Sequence, residues 1–374
     1  MEYKQLGQSG LKVSRVGIGG HYKAMEEGAY EDRYAYVERE VAARAEIVSA
    51  AITAGVNYFD TTWRNEVAML GAILRQLDAR EQVLVNGMVL GAFVGSKATG
   101  LTLEDYFNRW LDERLEVMPG HRFDAFMVNA IEEGYNDAEC ERLLALMEKR
   151  RTAGDFKVIG FSSHDVKLAR HVADRFPAFE LVMVPYNFHN RRFEEAFAGY
   201  SGHCSFIAMK TQVWLEYGIP FSAINALPRF ADKFGFEPAA DASTRAIRFV
   251  HQHPLITTAI CAINSMDELT YLLQAGSGSF TVDDEAVLRQ YQRAVSEANS
   301  VPLYLGALQH DNLRMNFFGA SNLSRVLGVP MPHIPLNEVD SQARIQAHAA
   351  SLMDAVRAKG YGRYLELEGA TASA

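Results

Sequence analysis

The sequence predicts an α/β protein of the (β/α)8 barrel type with long loops and a C-terminal extension. Short apolar runs alternate with helical patterns along most of the 374 residues, which is typical of βα units that build a parallel sheet. The alternation repeats eight times when a weaker third strand is accepted. One barrel needs about 250 residues, so a single barrel with extensions fits the length better than two domains do.

The predicted elements follow in chain order, each strand from a short apolar run and each helix from a longer periodic segment. We predict strands near 15–19, 56–60, 83–87, 124–129, 157–162, 181–186, 205–209 and 258–262. We predict helices near 42–54, 66–78, 103–117, 136–153, 165–175, 192–199, 242–253 and 283–298. The barrel therefore occupies residues 1–298, and residues 299–374 form the extension.

Two connections are longer than a minimal barrel requires. Residues 21–41 follow the first strand and residues 214–241 follow the seventh. Both belong to the C-terminal face, where loops of (β/α)8 enzymes form the substrate site, so they are either pocket walls or ordinary surface insertions. The extension contains a helical stretch near 340–357 and is too apolar for a solvated coil. We expect it to pack on the barrel or on a second copy of the chain.

Composition and charge argue against several classes of function. The formal net charge is −9 and the basic residues are scattered, so the attraction that nucleic-acid binding needs is missing. No stretch reaches the ~18 uninterrupted apolar residues of a membrane span. Cys140, Cys204 and Cys261 are far apart and offer neither a disulfide framework nor ligands for zinc or an iron–sulfur cluster. We expect a cytoplasmic protein that acts on a small molecule.

Several segments resemble, in the right order, those of one enzyme family. They are MEYKQLGQSGLKVSRVGIGG at the start, GDFKVIGFSS at 154–163, VPYN at 184–187, FIAMK at 206–210 and TTAICA at 257–262. The resemblance is to the aldo-keto reductases, nicotinamide-dependent carbonyl reductases built on a (β/α)8 barrel. It covers roughly residues 1–298 and implies both that fold and an oxidoreductase activity.

The catalytic residues of that family are mostly missing. In the family a tyrosine donates a proton, a lysine lowers its pKa, an aspartate holds the lysine and a histidine orients the carbonyl. The resemblance implies Asp60 as the aspartate, but the tyrosine is absent, with Asn65 at its nominal offset. The third strand has Gly87 or Met88 in the place of the lysine, and the fourth ends in Asn129 instead of histidine. Only the aspartate of the four remains.

The loss of the lysine leaves two interpretations of Asp60. Burying an unpaired charge is costly, so Asp60 either forms an ion pair with Arg64 or caps the following helix, or it acts as a general acid or base. Three histidines that follow predicted strands, His21, His164 and His189, lie at the C-terminal rim. We single out His21 and His164 as replacements for the missing proton donor. With Asp60 the histidines can also ligate a metal, but their spacing does not require one, and we assign none.

The resemblance also implies a dinucleotide cofactor, NADP or NAD. Ser162 and Ser163 match the residues that contact the nicotinamide amide, and Tyr186 ends the sixth strand. A glutamine of the family's sixth strand is replaced by Met183. Lys210 ends the seventh strand, where the family places residues near the pyrophosphate.

The segment after the eighth strand resembles the family's adenosine-phosphate site, which uses a helix N-terminus. Asn264 and Ser265 belong to it. A basic residue for a 2′-phosphate is not evident there, so the choice between NADP and NAD stays open.

Three functions follow from these residues. The first is an atypical nicotinamide-dependent oxidoreductase acting on a small carbonyl or hydroxy compound with a non-standard proton donor. The second is a lyase, epimerase or hydrolase that acts on a sugar or polyol through Asp60 and the rim histidines. The third is a non-catalytic ligand sensor or assembly subunit. The surviving cofactor segments favour the first.

Overall fold

The computed structural model describes residues 1–20, 33–214, 219–220, 239–294, 301, 304–305, 307–308, 313–332 and 341–361. Its strands, in chain order, are β1 (Tyr3–Leu6), β2 (Leu11–Ser14), β3 (Val16–Gly19), β4 (Tyr58–Asp60), β5 (Leu84–Leu90), β6 (Ala125–Asn129), β7 (Val158–Ser162), β8 (Leu181–Pro185), β9 (Ser205–Met209), β10 (Val213–Trp214), β11 (Ile219–Pro220) and β12 (Ile256–Cys261).

The helices surround the strands. They are α1 (Arg33–Thr53), α2 (Arg64–Gln76), α3 (Ala92–Thr99), α4 (Leu103–Leu115), α5 (Asp137–Ala153), α6 (Val166–Arg175), α7 (Arg192–Ala196), α8 (Ala242–His251), α9 (Met266–Ser277), α10 (Val282–Ala294), α11 (Leu313–Leu327) and α12 (Ser341–Ala358). No helix in the described part of the chain has the length and apolar character needed to cross a bilayer.

Eight parallel strands close into a barrel in the order β12-β3-β4-β5-β6-β7-β8-β9, which confirms the predicted (β/α)8 fold. The antiparallel hairpin β1-β2 closes its amino-terminal end, because Leu6 and Val13 pack with the side chains inside the barrel. The opposite, carboxyl-terminal end is therefore the open mouth at which the candidate residues gather.

The third barrel strand, β5, extends beyond its predicted end. It continues to Leu90, and two aromatic residues of α4 hold the added segment: Trp110 Nε1 donates to the Met88 carbonyl at 2.8 Å, and the Tyr106 hydroxyl donates to the Leu90 carbonyl at 3.0 Å. Helices α3, α9 and α11 were not predicted.

The two predicted insertions are only partly described. From Arg33 onward the first one is already helical, as part of α1, whereas residues 21–32 lie outside the described residues. In the second, β10 and β11 form a short antiparallel pair, and residues 215–218 and 221–238 lie outside the described residues.

Side chains of the barrel strands alternate between an inner and an outer layer. On β6, Ala125 and Met127 belong to the inner cluster, whereas Phe126 and Val128 pack against the helices. Asn129, the next residue of the inner series, therefore reaches the mouth. The same alternation on every strand decides which predicted site residues can meet.

Tyr58 fills the inner layer below Asp60, and its ring depends on a glycine of the neighbouring strand. A Cβ at Gly17 would lie 2.8 Å from Tyr58 Cδ1 and 3.0 Å from the Tyr58 carbonyl oxygen. Any larger residue at position 17 would overlap the ring and the backbone of β4. Gly17 is thus required for the packing under the site.

The C-terminal extension packs within the same chain. Gln342 of α12 donates to Asn316 of α11 at 3.0 Å, and Ser324 Oγ lies 2.7 Å from His348 Nε2. Buried apolar residues of both helices belong to the same cluster as the outer layer of the barrel: Leu323, Leu327, Ile345, Leu352 and Val356. An interface with a second copy stays a prediction.

Candidate active site

Asp60 is the last residue of β4 and is 7% exposed. The β4–β5 register pairs it with Asn86, and Asn86 Nδ2 donates to Asp60 Oδ1 at 2.6 Å. The placement of Gly87 or Met88 at the lysine position stays a prediction, and Asn86 is the β5 residue whose side chain contacts Asp60. A neutral amide donor occupies that position, and a hydrogen bond to a carboxylate is among the stronger ones.

Two polar atoms at this pair, one of Asn86 itself and one of Tyr58 on the same strand as Asp60, lack a hydrogen bond within the described part of the chain. Asn86 Oδ1 and the Tyr58 hydroxyl are buried and form no hydrogen bond with the described residues. Burial, with a smaller effect of the negative charge of Asp60, holds the pKa of Tyr58 well above its ordinary value of 10.0. Tyr58 is fully enclosed, so it is a neutral phenol inside the barrel and does not replace the missing tyrosine at the mouth.

The segment between β4 and α2 is held by Glu66. Its Oε2 accepts the Thr62 N–H at 2.7 Å and the Trp63 N–H at 3.1 Å, which satisfies donors at the start of α2. The side chain of Glu66 thus has the capping role that one interpretation gave to Asp60. The ion pair between Asp60 and Arg64, the first residue of α2, stays a prediction.

A pocket that is partly open to solvent lies beside this segment. Its lining combines Asp60, Arg44 and Glu66 with apolar residues of β3, β4, α1 and α2. Several of those apolar residues, Phe59 and Met69 among them, belong to the outer layer. The pocket therefore flanks the barrel mouth on its β3–β4 side.

A second polar group forms where β6 and β7 end. Asn129 Nδ2 donates to Ser162 Oγ at 3.2 Å and contacts Met88 Sδ at 3.5 Å, and the Ala130 N–H donates to the same Ser162 oxygen at 3.0 Å. Ser162 Oγ thus accepts twice, while its own hydroxyl proton is donated to no described group. Through Met88 this group adjoins the β5 side of the mouth.

Two strand ends at the mouth have left-handed backbone at residues other than glycine. Ala130 follows β6 with φ 49°, and Lys210 follows β9 with φ 58°. Such conformations cost about 1–3 kcal/mol and persist only where the surroundings fix them, often at functional sites. Here the Ile131 N–H donates to the Ser162 carbonyl at 2.9 Å, and Asn187 Nδ2 donates to the Lys210 carbonyl at 3.0 Å.

The structure describes two of the three predicted rim histidines, and their surroundings differ. His164 is half-buried after β7, and its main-chain N–H donates to Glu132 Oε1 at 3.0 Å. Burial, with a smaller effect of Arg325 in the extension, lowers the pKa of His189 from its ordinary value. His21 lies outside the described residues. Among the residues that are described, no group of three or more His, Cys, Asp or Glu side chains could hold a metal ion.

Two predicted cofactor residues have other partners. The Ser163 hydroxyl accepts the Asp165 N–H and donates to the Asp165 carbonyl, both at 3.1 Å, so it builds the turn before α6. Tyr186 belongs to the outer layer, where its hydroxyl donates to Glu194 at 2.7 Å and its ring contacts Phe249. These contacts direct the Tyr186 side chain to the outer layer, and its role in cofactor binding stays a prediction.

The residues after β12 form a helix cap. Ser265 Oγ accepts the Glu268 N–H at 3.2 Å, and Glu268 Oε2 accepts from the Asn264 main chain at 2.6 Å and from its Nδ2 at 3.0 Å. Ser265 Oγ thus caps α9, and the Glu268 side chain holds the residue before the cap. A carboxylate therefore lies at the N-terminus of α9, where the resemblance implied an anion.

Sequence reasoning missed Asn86, Glu132 and Glu268. Asn86 is the single polar side chain in the run LVNGMVL, and a lone polar residue in a buried strand is a signal that could have singled it out. Glu268 completes the pattern Ser-x-x-Glu before an apolar run, which also was readable. Glu132 lies in an irregular loop and has no such signal.

The parallel barrel, with polar side chains gathered at its carboxyl end, defines a (β/α)8 protein. Residues 28–203 match the model of the Aldo/keto reductase family. This match spans just under half of the chain, which is therefore similar to the aldo/keto reductase family over these residues.

Solved structures share the barrel. The holo form of an aldo-keto reductase from Bacillus halodurans is similar over 78% of this chain and 96% of its own, with a TM-score of 0.56 and 17% identity. A candidate aldo-keto reductase from Pseudomonas aeruginosa is similar over 73% and 94%, with a TM-score of 0.51 and 16% identity. At such identities the likeness establishes the fold alone. No curated protein matches the chain in sequence.

Proposed function

We propose that this chain is a nicotinamide-dependent oxidoreductase that interconverts a small carbonyl compound and its alcohol without a catalytic tyrosine. The observation that carries the proposal is the Asn129–Ser162 group at the mouth. Asn129 and Ala130 donate to Ser162 Oγ and fix its position, which leaves the Ser162 hydroxyl to donate to a ligand. The match of residues 28–203 to the family model and the barrel fold support oxidoreductase activity.

Ser162 supports a nicotinamide at the end of β7, and Glu268 argues against a 2′-phosphate at the start of α9. A bound reduced dinucleotide supplies a hydride to the carbonyl carbon. The Ser162 hydroxyl is an unused donor for the amide of the nicotinamide ring. At α9 the Glu268 carboxylate repels a 2′-phosphate and accepts hydrogen bonds from a ribose hydroxyl. We therefore propose NAD(H) in preference to NADP(H).

His164 is the proposed proton donor. It follows β7 at the rim, and Glu132 holds its main chain. In the reductive direction its imidazolium gives a proton to the carbonyl oxygen, and in the oxidative direction the neutral ring takes the proton back from the alcohol.

The test combines binding with turnover. Fluorescence titration measures the Kd of NADH and NADPH, and the rate of dinucleotide oxidation is followed with a panel of small aldehydes and ketones. General acid catalysis contributes typically 10²–10⁴-fold, so His164→Gln is expected to lower kcat by about 100-fold or more while Kd for NADH stays unchanged. The control is His171→Gln, an exposed histidine of α6 beside Asp137.

Each outcome is decisive. Failure of both dinucleotides to bind would remove the proposal. Wild-type turnover that His164→Gln leaves intact would remove the proton donor. Turnover of a sugar or polyol without any dinucleotide, abolished in Asp60→Asn, would instead establish the non-redox alternative in which Asp60 acts as the base.

A further inference from the structure

A thioether joins the two polar groups of the mouth. Met88, on β5, is buried. Thr62 Oγ1 donates to its Sδ at 3.7 Å from the β4 side, and Asn129 Nδ2 donates to it at 3.5 Å from the end of β6. A thioether sulfur is a weak acceptor and never a donor, so it suits two donors. Met88 therefore connects the segment after β4 with the end of β6.

The same sulfur determines which way the Asn129 amide faces. An amide has a donating N–H2 end and an accepting oxygen end, and only the donating end can bond to a thioether. In this orientation Asn129 Nδ2 also donates to Ser162 Oγ at 3.2 Å. In the opposite orientation Asn129 Oδ1 would face the sulfur without a hydrogen bond and would accept the Ser162 proton. The orientation that Met88 favours thus leaves the Ser162 hydroxyl to donate to a ligand.

The main chain of Met88 is held from outside the barrel. β5 continues to Leu90, but its pairing with β4 stops at Asn86, so the next carbonyls on this edge have no partner on that strand. Two aromatic residues of α4 supply the donors: Trp110 Nε1 donates to the Met88 carbonyl at 2.8 Å, and the Tyr106 hydroxyl donates to the Leu90 carbonyl at 3.0 Å. The Trp110 bond therefore fixes the residue that carries the sulfur.

Trp110 is in turn held by its neighbours on α4. Tyr106 and Arg114 lie one turn before and one turn after it, on the same face of the helix. The Tyr106 ring stacks on Trp110 with 5.7 Å between the centroids, and Arg114 Cζ lies 4.0 Å from the centroid of the Trp110 ring. Arg114 is buried and donates to the Thr62 carbonyl at 3.5 Å. This helix face thus holds both Met88 and one of the two donors to its sulfur.

We propose that Trp110 is a positioning residue for cofactor binding, which acts through Met88 by fixing the thioether that orients the Asn129 amide. The assignment rests on the proposed function, because its effect reaches the cofactor through the Ser162 hydroxyl. Trp110 itself packs against the outer layer of the barrel and acts on the mouth through β5.

The measured quantity is the Kd of NADH, determined by isothermal titration calorimetry. Met88→Leu conserves the volume of the side chain and removes the sulfur acceptor, so the Asn129 amide can turn and accept the Ser162 proton. The Kd is expected to rise about fivefold or more, as for the loss of one neutral hydrogen bond. Trp110→Phe keeps an aromatic ring beside Arg114 but lacks the Nε1 donor, and it is expected to raise the Kd about threefold or more.

The double variant tests whether Trp110 acts through the sulfur. Once Met88→Leu has removed the acceptor, Trp110→Phe has no further effect on the amide. The Kd of the double variant is therefore expected to lie within about twofold of that of Met88→Leu alone, whereas independent effects would multiply.

Tyr106→Phe is the matched control. It removes a hydrogen bond from the same helix to the same strand, at Leu90 instead of Met88, and it keeps the ring that stacks on Trp110. It is expected to lower the melting temperature about as much as Trp110→Phe does and to leave the Kd of NADH unchanged. A role of Trp110 in stability alone would not separate these two variants.

The outcomes separate this inference from the proposed function. An unchanged Kd in Trp110→Phe, multiplied effects in the double variant, or an equal rise of the Kd in Tyr106→Phe overturns the positioning role and leaves the proposed function standing. Absence of NADH binding by the wild-type protein removes the proposed function and the positioning role with it.

Discussion

His251 makes the fold sensitive to acid at the closed end of the barrel. It is 5% exposed at the end of α8, and its Nε2 has no hydrogen-bond partner among the described residues. Burial, followed by the positive charges of Arg15 and Lys4, lowers its pKa to about 3. Arg15 also donates to the His251 carbonyl at 3.4 Å.

The magnitude follows from the difference between the folded and unfolded states. An unfolded histidine titrates near its ordinary pKa of 6.5, so between about pH 6.5 and pH 3 the unfolded chain binds a proton that the folded chain does not. Stability is therefore complete above this window and is lost as the pH falls, at about 1.4 kcal/mol per pH unit. At pH 5 the loss from this one residue is about 2 kcal/mol.

The assay is urea denaturation of wild-type protein and His251→Leu at pH 8 and pH 5. Leucine has no proton to bind, so the variant is expected to lose about 2 kcal/mol less free energy of unfolding than wild type over this interval. His203→Gln, on the half-exposed loop before β9, is the control and is expected to lose as much as wild type. Equal losses in wild type and His251→Leu would refute the linkage.

Three further predictions concern the packing and the polar contacts of the barrel mouth. Asn86→Leu removes the donor to buried Asp60 and is expected to lower the free energy of unfolding by about 1.5–3 kcal/mol, measured by urea denaturation; no loss would mean that the contact is dispensable. Gly17→Ala is expected to cost about 1–3 kcal/mol, since its Cβ overlaps the Tyr58 ring, and a higher melting temperature would contradict that packing. Glu268→Lys is expected to raise the affinity for NADPH relative to NADH by about fivefold or more, measured by titration, whereas an unchanged ratio would place the 2′-hydroxyl elsewhere.

The barrel and the position of Asp60 could be predicted because their signals are local. An apolar run followed by a carboxylate marks a strand end, and β4 ends at Asp60. Asn86 was missed because its pairing with Asp60 depends on the register between β4 and β5, which is set by contacts far apart in sequence. Counting offsets along one strand cannot supply that register.

Tyr186 illustrates a second limit. The run Leu181–Pro185 is buried on both faces, as expected for a parallel strand covered by helices. Continuous apolar character gives no period from which the inner and outer faces can be told apart. Contacts with Glu194 and Phe249 settle the direction of Tyr186, and they are tertiary. The loop at Ala130 and Glu132 was unpredictable for a related reason, because left-handed backbone at an alanine has no sequence signature.

Direct observation of hydride transfer tests the central claim. NADH that carries deuterium on the ring carbon from which the hydride leaves is incubated with the wild-type protein and a panel of small aldehydes and ketones. Mass spectrometry then follows the alcohol products. Deuterium is expected on the former carbonyl carbon of at least one product, and its rate of appearance is expected to fall about 100-fold or more in His164→Gln. Unlabelled alcohols throughout the panel, with NADH bound, would contradict this claim.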